Sequence, residues 1–530
     1  MIKTWGLTNF KSIYSMPNEK LELKPLTIMA GTNSSGKSSF IQSILLIIQT
    51  MKNPYKEYPL VLNGQYVNFG KFEDIMSFHE EDGKRKSVSV GIRWSCKYSS
   101  KRVKDKGKYY FSMLPELKDV DNPDECDYDA ETEIEFDIEY DAYNNESNIK
   151  INRQIMPRLK SVKHKANTIV EAETDEDEDD EGVFLYKDTK GIHIKVCDKN
   201  PSEIPGGQKE CYDIEYDSGE ASGLRPMDAE FLHFFPMRVL NSLSARDGTI
   251  KNQWGSALGS IKSEKLLNEL NENFSSKFIY IGPLREDPKQ LYPFSEFSYM
   301  PNFGKKGENT AAILALNSNN SGTFPIPDWD DSGNYKSEEK TLKEAIIAWL
   351  EYIGVAEDIA VGVEPGGFTL KVKIPKSNHF NDLTNVGVGI SQVVPVVVSC
   401  LFADKGSILV FEQPELHLHP KMQTRLAHFF VAISQSGRQC IIETHSEHII
   451  NALRHRIAIT QSPYDEKLAG DIQIYFSTKN NGKTEFKPIN IDKYSAMTEW
   501  PEDFFDESQV VRKEIIALVS EKLEKDSQDE

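Results

Sequence analysis

Residues 31–38 read Gly31-Thr32-Asn33-Ser34-Ser35-Gly36-Lys37-Ser38, a complete GxxxxGK[ST] loop, and no other stretch limits the fold so strongly. Each fixed position answers a physical need. The glycines let backbone N–H groups turn inward around phosphate oxygens. Lys37 brings a point charge to the β/γ oxygens, and the Ser38 hydroxyl suits Mg²⁺. Leu26–Ala30 before the loop reads as a short buried strand, and the apolar run Phe40–Ile48 after it reads as a buried helix. Strand, loop and helix together put an anion on a helix N-terminus, where unpaired N–H groups and the dipole favour negative charge. The pattern implies an α/β fold that binds a nucleotide.

The rest of the chain narrows the class. At 530 residues it has material for two or more domains, and 39% hydrophobic with 27% charged residues suits a globular protein with polar insertions. The longest apolar stretch, Val393–Ala403, is broken by Pro395 and too short to span a bilayer, so no membrane partner is expected. No signal-peptide core follows Met1, and six scattered cysteines without a CxxC pair point to a reducing compartment. The expected location is cytoplasmic. A net charge of −20 argues against general coating of nucleic acid. Lys84–Lys108 is the exception, with ten Lys or Arg against the single acid Asp105 and several aromatics. It reads either as a nucleic-acid contact or, the favoured alternative, as a solvated surface pairing with the acidic run Glu171–Glu181.

Five segments emerge along the chain. Residues 1–80 form the first part of a nucleotide-binding head, with Trp5–Phe10 and Leu21–Ala30 strand-like. Residues 81–240 alternate in stretches such as Val88–Ile92 and Ile134–Ile138, an insertion expected to be mostly β, with 171–181 low in complexity and disordered. Residues 241–380 turn helical from about 255, then give the strand Phe278–Ile281 ending at Gly282-Pro283, a helix with Leu342, Ile346, Trp349, Leu350 and Ile353 on one face, and an alternating strand through Phe368, Leu370 and Val372. Residues 381–490 alternate strands and helices again, and 491–530 form a tail.

A second cluster of motifs lies in 381–490. Ile408–Phe411 is a buried strand that delivers Glu412, Gln413 and Glu415 at its end, where α/β sheets present ligands, and Glu412 is placed to hold Mg²⁺ with Ser38. The turn Leu416-His417-Leu418-His419-Pro420 leads into a helix. A further strand, Gln439–Ile442, ends in Glu443-Thr444-His445-Ser446, where His445 has the chemistry to bond a γ-phosphate or the attacking water. The turn Asn385–Gln392 is glycine-rich and opens an apolar helix, a second candidate anion site.

In this order, these motifs resemble the ABC-type ATPase heads of the overcoming-lysogenization-defect (OLD), RecF and SMC-like group over residues 1–80 and 275–490. Asn9-Phe10-Lys11-Ser12, Pro414–Pro420 and Glu443–Ser446 carry the resemblance. Tyr280–Arg285 and Trp500–Phe505 are similar to bacterial anti-phage defence ATPases of the Septu type, including retron-linked ones. The implied fold class is an α/β ABC-type P-loop ATPase head with a largely β insertion and a helical segment. The resemblance implies a homodimer or higher homo-oligomer enclosing ATP and Mg²⁺. Each ATP is gripped by Gly31, Thr32, Asn33, Ser34, Ser35, Gly36, Lys37, Ser38 and Ser39 of one copy and by the signature positions Gly389, Ser391 and Gln392 of the other. It further implies Glu412 as the Mg²⁺ carboxylate, His445 as the switch histidine, and a separate effector, an HNH-type nuclease, under the ATPase's control in anti-phage defence.

The sequence departs from the group in two ways. Where the general base would stand there is Gln413, whose amide cannot take a proton from water, so hydrolysis is slow or Glu415 substitutes. No DxD nuclease cluster follows His445. Two alternatives stay open: a nucleotide-gated scaffold with little turnover, and a RecF-like DNA-repair ATPase.

Overall fold

The computed structural model describes, with their side chains, residues 1–16, 20–53, 60–77, 88, 90, 276–294, 303–329, 332–461 and 463–498. Between 78 and 256 it describes the backbone of the strands Phe78–His79, Lys84–Arg85, Lys108–Ser112, Ala229–Leu232, Phe235–Ser244, Ile250–Ser256 and those named below, and near the end of the chain residues 516, 518 and 519. The acidic stretch 171–180, the helical expectation over 257–275 and Trp500–Phe505 lie outside the described residues. The chain divides into two units, one of Met1–Leu23 and Ser38–Phe278, the other of Lys24–Lys37 and Ile279–Glu530.

The first unit is built on antiparallel pairing. Strand β1 (Ile2–Thr8) pairs with Leu21–Glu22 on one side and with Val88–Asp105 on the other. From there the ladder runs through Asp127–Tyr143, Met156–Val170, Glu181–Lys187, Ile192–Asp198 and Tyr212–Ile214. The period-two stretches read from sequence are strands, and their register sets Val90 opposite Ile138, Ile92 opposite Phe136 and Trp94 opposite Ile134. Helix α1 (Lys37–Met51) carries apolar residues on nearly every face, and Phe40, Ile41, Ile44, Leu45, Ile47 and Ile48 are all buried. Its polar positions are satisfied within the unit. Trp5 Nε1 donates to Ser43 Oγ (2.9 Å), and the Gln49 carbonyl accepts from Tyr66 N (2.9 Å) and Val67 N (3.0 Å).

The second unit holds a six-stranded sheet: β2 (Leu26–Gly31), β3 (Phe278–Ile281), β4 (Ile408–Glu412), β5 (Gln439–Glu443), β6 (Ile472–Asn480) and β7 (Lys483–Ile489), in the order β3-β4-β5-β2-β6-β7. β4 and β5, β5 and β2, and β2 and β6 pair in parallel, and β7 closes the edge as an antiparallel hairpin. Every residue of β2, β4 and β5 is buried, as expected of strands covered on both faces. The stretch Leu21–Ala30 reads as one strand in the sequence but is two in the structure. Pro25 offers no N–H for a ladder, and Leu21–Glu22 and β2 belong to different sheets.

Helices α2 (Thr310–Asn317), α3 (Leu342–Ile353), α4 (Val388–Phe402), α5 (Pro420–Gln435), α6 (Glu447–Ile459) and α7 (Tyr464–Asp471) belong to this unit, together with two smaller antiparallel sheets. Thr341 and Glu344 form a reciprocal capping box at the start of α3, and Gly354 ends it with φ 91°. The apolar face seen in the sequence is the buried one: Trp349 is fully buried, donates to Pro325 O (2.7 Å) and lies edge-on to Phe429 at 4.9 Å. His419 caps α5, with Pro420 in its first turn. The topology therefore brings the ends of β2, β4 and β5, and the loops that follow them, to one edge of the sheet. This is a P-loop α/β fold. Among the described residues no helix is long and apolar enough to cross a membrane.

Candidate nucleotide-binding site

The loop after β2 is held in its turned shape by a contact no local pattern reveals. Gly31 (φ 140°) lies so close to β6 that a Cβ there would sit 2.3 Å from Ser477 O. One on Gly36 (φ 104°) would sit 2.2 Å from Thr484 Oγ1. Only glycine fits either position. Ser35 Oγ meets Ser477 Oγ at 2.6 Å and donates to Thr32 O at 2.8 Å. Thr32, Asn33 and Ser34 are left exposed at the tip.

Lys37 is only 3% exposed, and its ammonium is folded into the loop: Nζ donates to Thr32 O (2.7 Å), Gly31 O (3.0 Å) and Ser35 Oγ (3.4 Å). Burial lowers its pKa, and the charge of Glu443 works against that shift. Ser38 and Ser39 follow as the next residues of α1. This loop suits a polyphosphate. It offers main-chain donors and a cation that has only neutral oxygens as hydrogen-bond partners, and a phosphate would replace them with anionic ones.

The acids stand at the neighbouring strand ends. Register places Glu412 of β4 beside Glu443 of β5, and Glu443 in turn beside Met29 of β2. Both carboxyl groups are buried, at 7% and 3% exposure. Tyr280 Oη donates to Glu412 Oε1 (2.7 Å), and the Glu443 carboxyl stands beside it in the register. Burial raises the pKa of Glu412, partly offset by Tyr280, Glu443 and Arg285. The same carboxylate pushes the Tyr280 hydroxyl further up from its usual range, where burial has already moved it.

Arg285 clamps the end of β4 through the main chain. Its Nη1 donates to Pro283 O (3.0 Å) and Gln413 O (2.9 Å), and its Nη2 to Glu412 O (3.0 Å). Burial pushes its pKa down to about 10 against the pull of Glu415 and Glu412. Gln413 takes a left-handed backbone (φ 46°) and its N–H bonds Glu443 O at 2.8 Å, so the chain turns sharply off the strand. Glu415 turns back toward the next strand end: its Oε1 accepts from Thr444 Oγ1 (2.7 Å) and His445 N (2.9 Å), and burial raises its pKa. Glu415 Oε2 and Arg285 Nε are buried without a hydrogen-bond partner, so the protein has not used all the polar capacity of this strand end.

His445 is half-buried. Burial and the Lys37 charge lower its pKa, and a hydrogen bond to the Gly31 main chain opposes them, which places the imidazole beside the loop. At the start of α4 the tip Gly387-Val388 is exposed. Gly389 rests against the 416–419 turn, where a Cβ would lie 2.7 Å from His417 O. The Ser391 hydroxyl donates to Val388 O (2.8 Å), and Ser391 and Gln392 are buried.

Thus Lys37, Glu412, Gln413, Glu415 and His445 are brought to one place. Among the described residues no hydrogen bond joins Gly389, Ser391 or Gln392 to Gly31–Lys37; Gly389 meets the turn after β4. Tyr280, Arg285, Glu443, Ser477 and Thr484 belong to the site without having been singled out for a role. Only the polar ends of Phe278–Arg285 and Gln439–Ser446 hinted at the first three.

The AAA ATPase domain family matches residues 1–450, and a family described as a protein of unknown function (DUF3696) matches residues 469–510. No curated protein matches the chain. Among solved structures, an SMC head bound to the C-terminal winged-helix domain of ScpA is similar at 12% identity, over 93% of this chain and 98% of that one, with a TM-score of 0.39. The SMC head domain from Thermotoga maritima is similar at 10% identity over 92% and 99%, with a TM-score of 0.34. An SMC head with an extended coiled coil, bound to the C-terminal domain of ScpA derived from Pyrococcus furiosus, gives 10% identity over 97% and 99%, with a TM-score of 0.35.

The raised pKa of Glu412 has a consequence for stability. The folded state binds its proton more tightly than the unfolded chain, so stability is lost as pH rises from the ordinary carboxyl pKa through the raised one. Glu412→Gln, which keeps an acceptor for Tyr280, is expected to raise the melting temperature at pH 7 by about 2 °C, with the gain vanishing near pH 4. Melting curves at the two pH values check this, and an unchanged or lower transition at pH 7 contradicts it.

Proposed function

The chain belongs to the AAA ATPase domain family, and from that premise we propose that it binds ATP with Mg²⁺, pairs head to head around two nucleotides, hydrolyses them slowly, and governs a separate nuclease in anti-phage defence. The observation that carries this reading is the Lys37 ammonium, folded beside Glu443 and His445 at the sheet edge where Glu412 also ends.

Lys37 and the N–H groups of Gly31–Ser39 take the β- and γ-phosphates, Lys37 exchanging carbonyl partners for phosphate oxygens. Ser38 and Glu412 would hold Mg²⁺, which supplies charge neutralisation on the bridging phosphate oxygens. Tyr280 aims the Glu412 carboxylate, and Arg285 fixes the main chain that carries it. His445, whose pKa burial and the Lys37 charge lower, would exchange its Gly31 partner to donate to the γ-phosphate, or orient the attacking water through its other ring nitrogen. Gly389, Ser391 and Gln392 of the second copy close the site from the other side, Gly387 and Val388 being the exposed tip of that turn. Phosphoryl transfer in such a site runs on positioning and charge, so an amide at position 413 slows the reaction without forbidding it.

A second reading has one observation in its favour. Gln413 is held in a left-handed turn with its N–H tied to Glu443 O, in the place where a base would stand. That arrangement also suits a scaffold that binds ATP and keeps it.

Single-turnover cleavage of ATP separates the two. Gln413→Glu is expected to raise the cleavage rate by about tenfold or more, since a carboxylate accepts the proton that an amide refuses. If neither protein cleaves ATP while both bind it, the scaffold reading replaces ours. The native mass is expected to double with a non-hydrolysable ATP analogue. A chain that stays monomeric, or that protects cells from phage equally well as Lys37→Ala, contradicts the proposal.

A further inference from the structure

Two side chains tie the loop that carries His445 to the turn on which Gly389 rests. The first is Glu415, whose Oε1 accepts from both Thr444 Oγ1 (2.7 Å) and His445 N (2.9 Å). The second is Gln423 in the first turns of α5. Its Oε1 accepts from Ser446 Oγ (2.5 Å), and its Nε2 donates to Leu418 O (2.8 Å). Three consecutive residues, Thr444, His445 and Ser446, are thereby bonded to the segment Glu415–Leu418 from two directions. That segment is stiff in itself: Leu416 N bonds Gln413 O (3.2 Å), Leu418 N bonds Glu415 O (3.1 Å), and His417 takes a left-handed backbone (φ 63°). Against its middle, at the His417 carbonyl, lies Gly389 with no room for a Cβ.

We propose that Glu415 and Gln423 are positioning residues that couple the imidazole of His445, which faces the loop of its own chain, to the turn that presents Gly389. This rests on the nucleotide-binding reading above. A γ-phosphate that moves His445 pulls on Thr444–Ser446, the two ties move Glu415–Leu418 with it, and the glycine turn follows through its contact with His417 O. Glu415 so placed acts as a tie through Oε1. Of its two oxygens, one accepts two hydrogen bonds from the loop, and the residue is 7% exposed. Gln423 has no acid–base chemistry at all, so it distinguishes a tie from a base.

The test reads affinity and does not depend on turnover. Calorimetry gives the dissociation constants of ADP and of a non-hydrolysable ATP analogue, both with Mg²⁺, for the full chain, and their ratio measures the grip on the γ-phosphate. Glu415→Ala and Gln423→Ala are each expected to cut that ratio by about fivefold or more, and neither to cut it further in a His445→Ala background, since both act through His445. Losses that add to His445→Ala overturn the coupling. So does a Gln423→Ala protein with the native ratio, and this variant stays informative if Glu415→Ala fails to fold. A native chain that binds neither nucleotide overturns the function first and this assignment with it, a result distinct from normal binding with unaltered ratios.

Discussion

A lysine that is 3% exposed and satisfied only by oxygen atoms of its own loop is the constraint from which the rest of this site follows. Removing an ammonium from water is costly unless strong partners replace the solvent, and the Gly31 and Thr32 carbonyls are modest ones. The loop can hold the charge there because two glycines let the backbone turn and because β6 and β7 press Ser477 and Thr484 against it. Glu443, one strand away, supplies the field that keeps the ammonium charged. A polyphosphate would give the lysine anionic partners in place of these carbonyls.

The neighbouring strand ends are organised by the same logic. Glu412 and Glu443 stand side by side, Tyr280 holds one oxygen of Glu412, and Arg285 binds the Glu412 and Gln413 carbonyls at the end of β4. Gln413 accepts a strained backbone angle in exchange for a sharp exit from the strand. These strand ends are thus held by side-chain bonds to the main chain. The site is articulated at Thr444–Ser446, where side chains rather than a ladder connect one loop to the next.

Much of this was legible in the sequence where the determinants are local. The glycine-lysine loop, the end of β4, the helix through Trp349 and its Gly354 stop all appear as contiguous patterns, because a turn, a buried strand or an amphipathic face is written within a few residues. What was not legible depends on distant pairing. Tyr280 reaches Glu412 across 132 residues and Ser35 reaches Ser477 across 442, and no local pattern pairs either with its partner. The break between Leu21–Glu22 and β2 hangs on one proline in an otherwise apolar run. Glu415 looked like a spare base because it follows a strand end in sequence; its engagement with Thr444 and His445 exists only once β5 is beside β4.

Isothermal calorimetry of Mg·ATP binding to the native chain and to Lys37→Ala tests the central claim most directly. Native protein should release heat and saturate at one nucleotide per chain, and Lys37→Ala should show none at the same concentrations while keeping its melting transition. Equal heats from both proteins, or none from either, would mean that this buried ammonium does not grip a triphosphate.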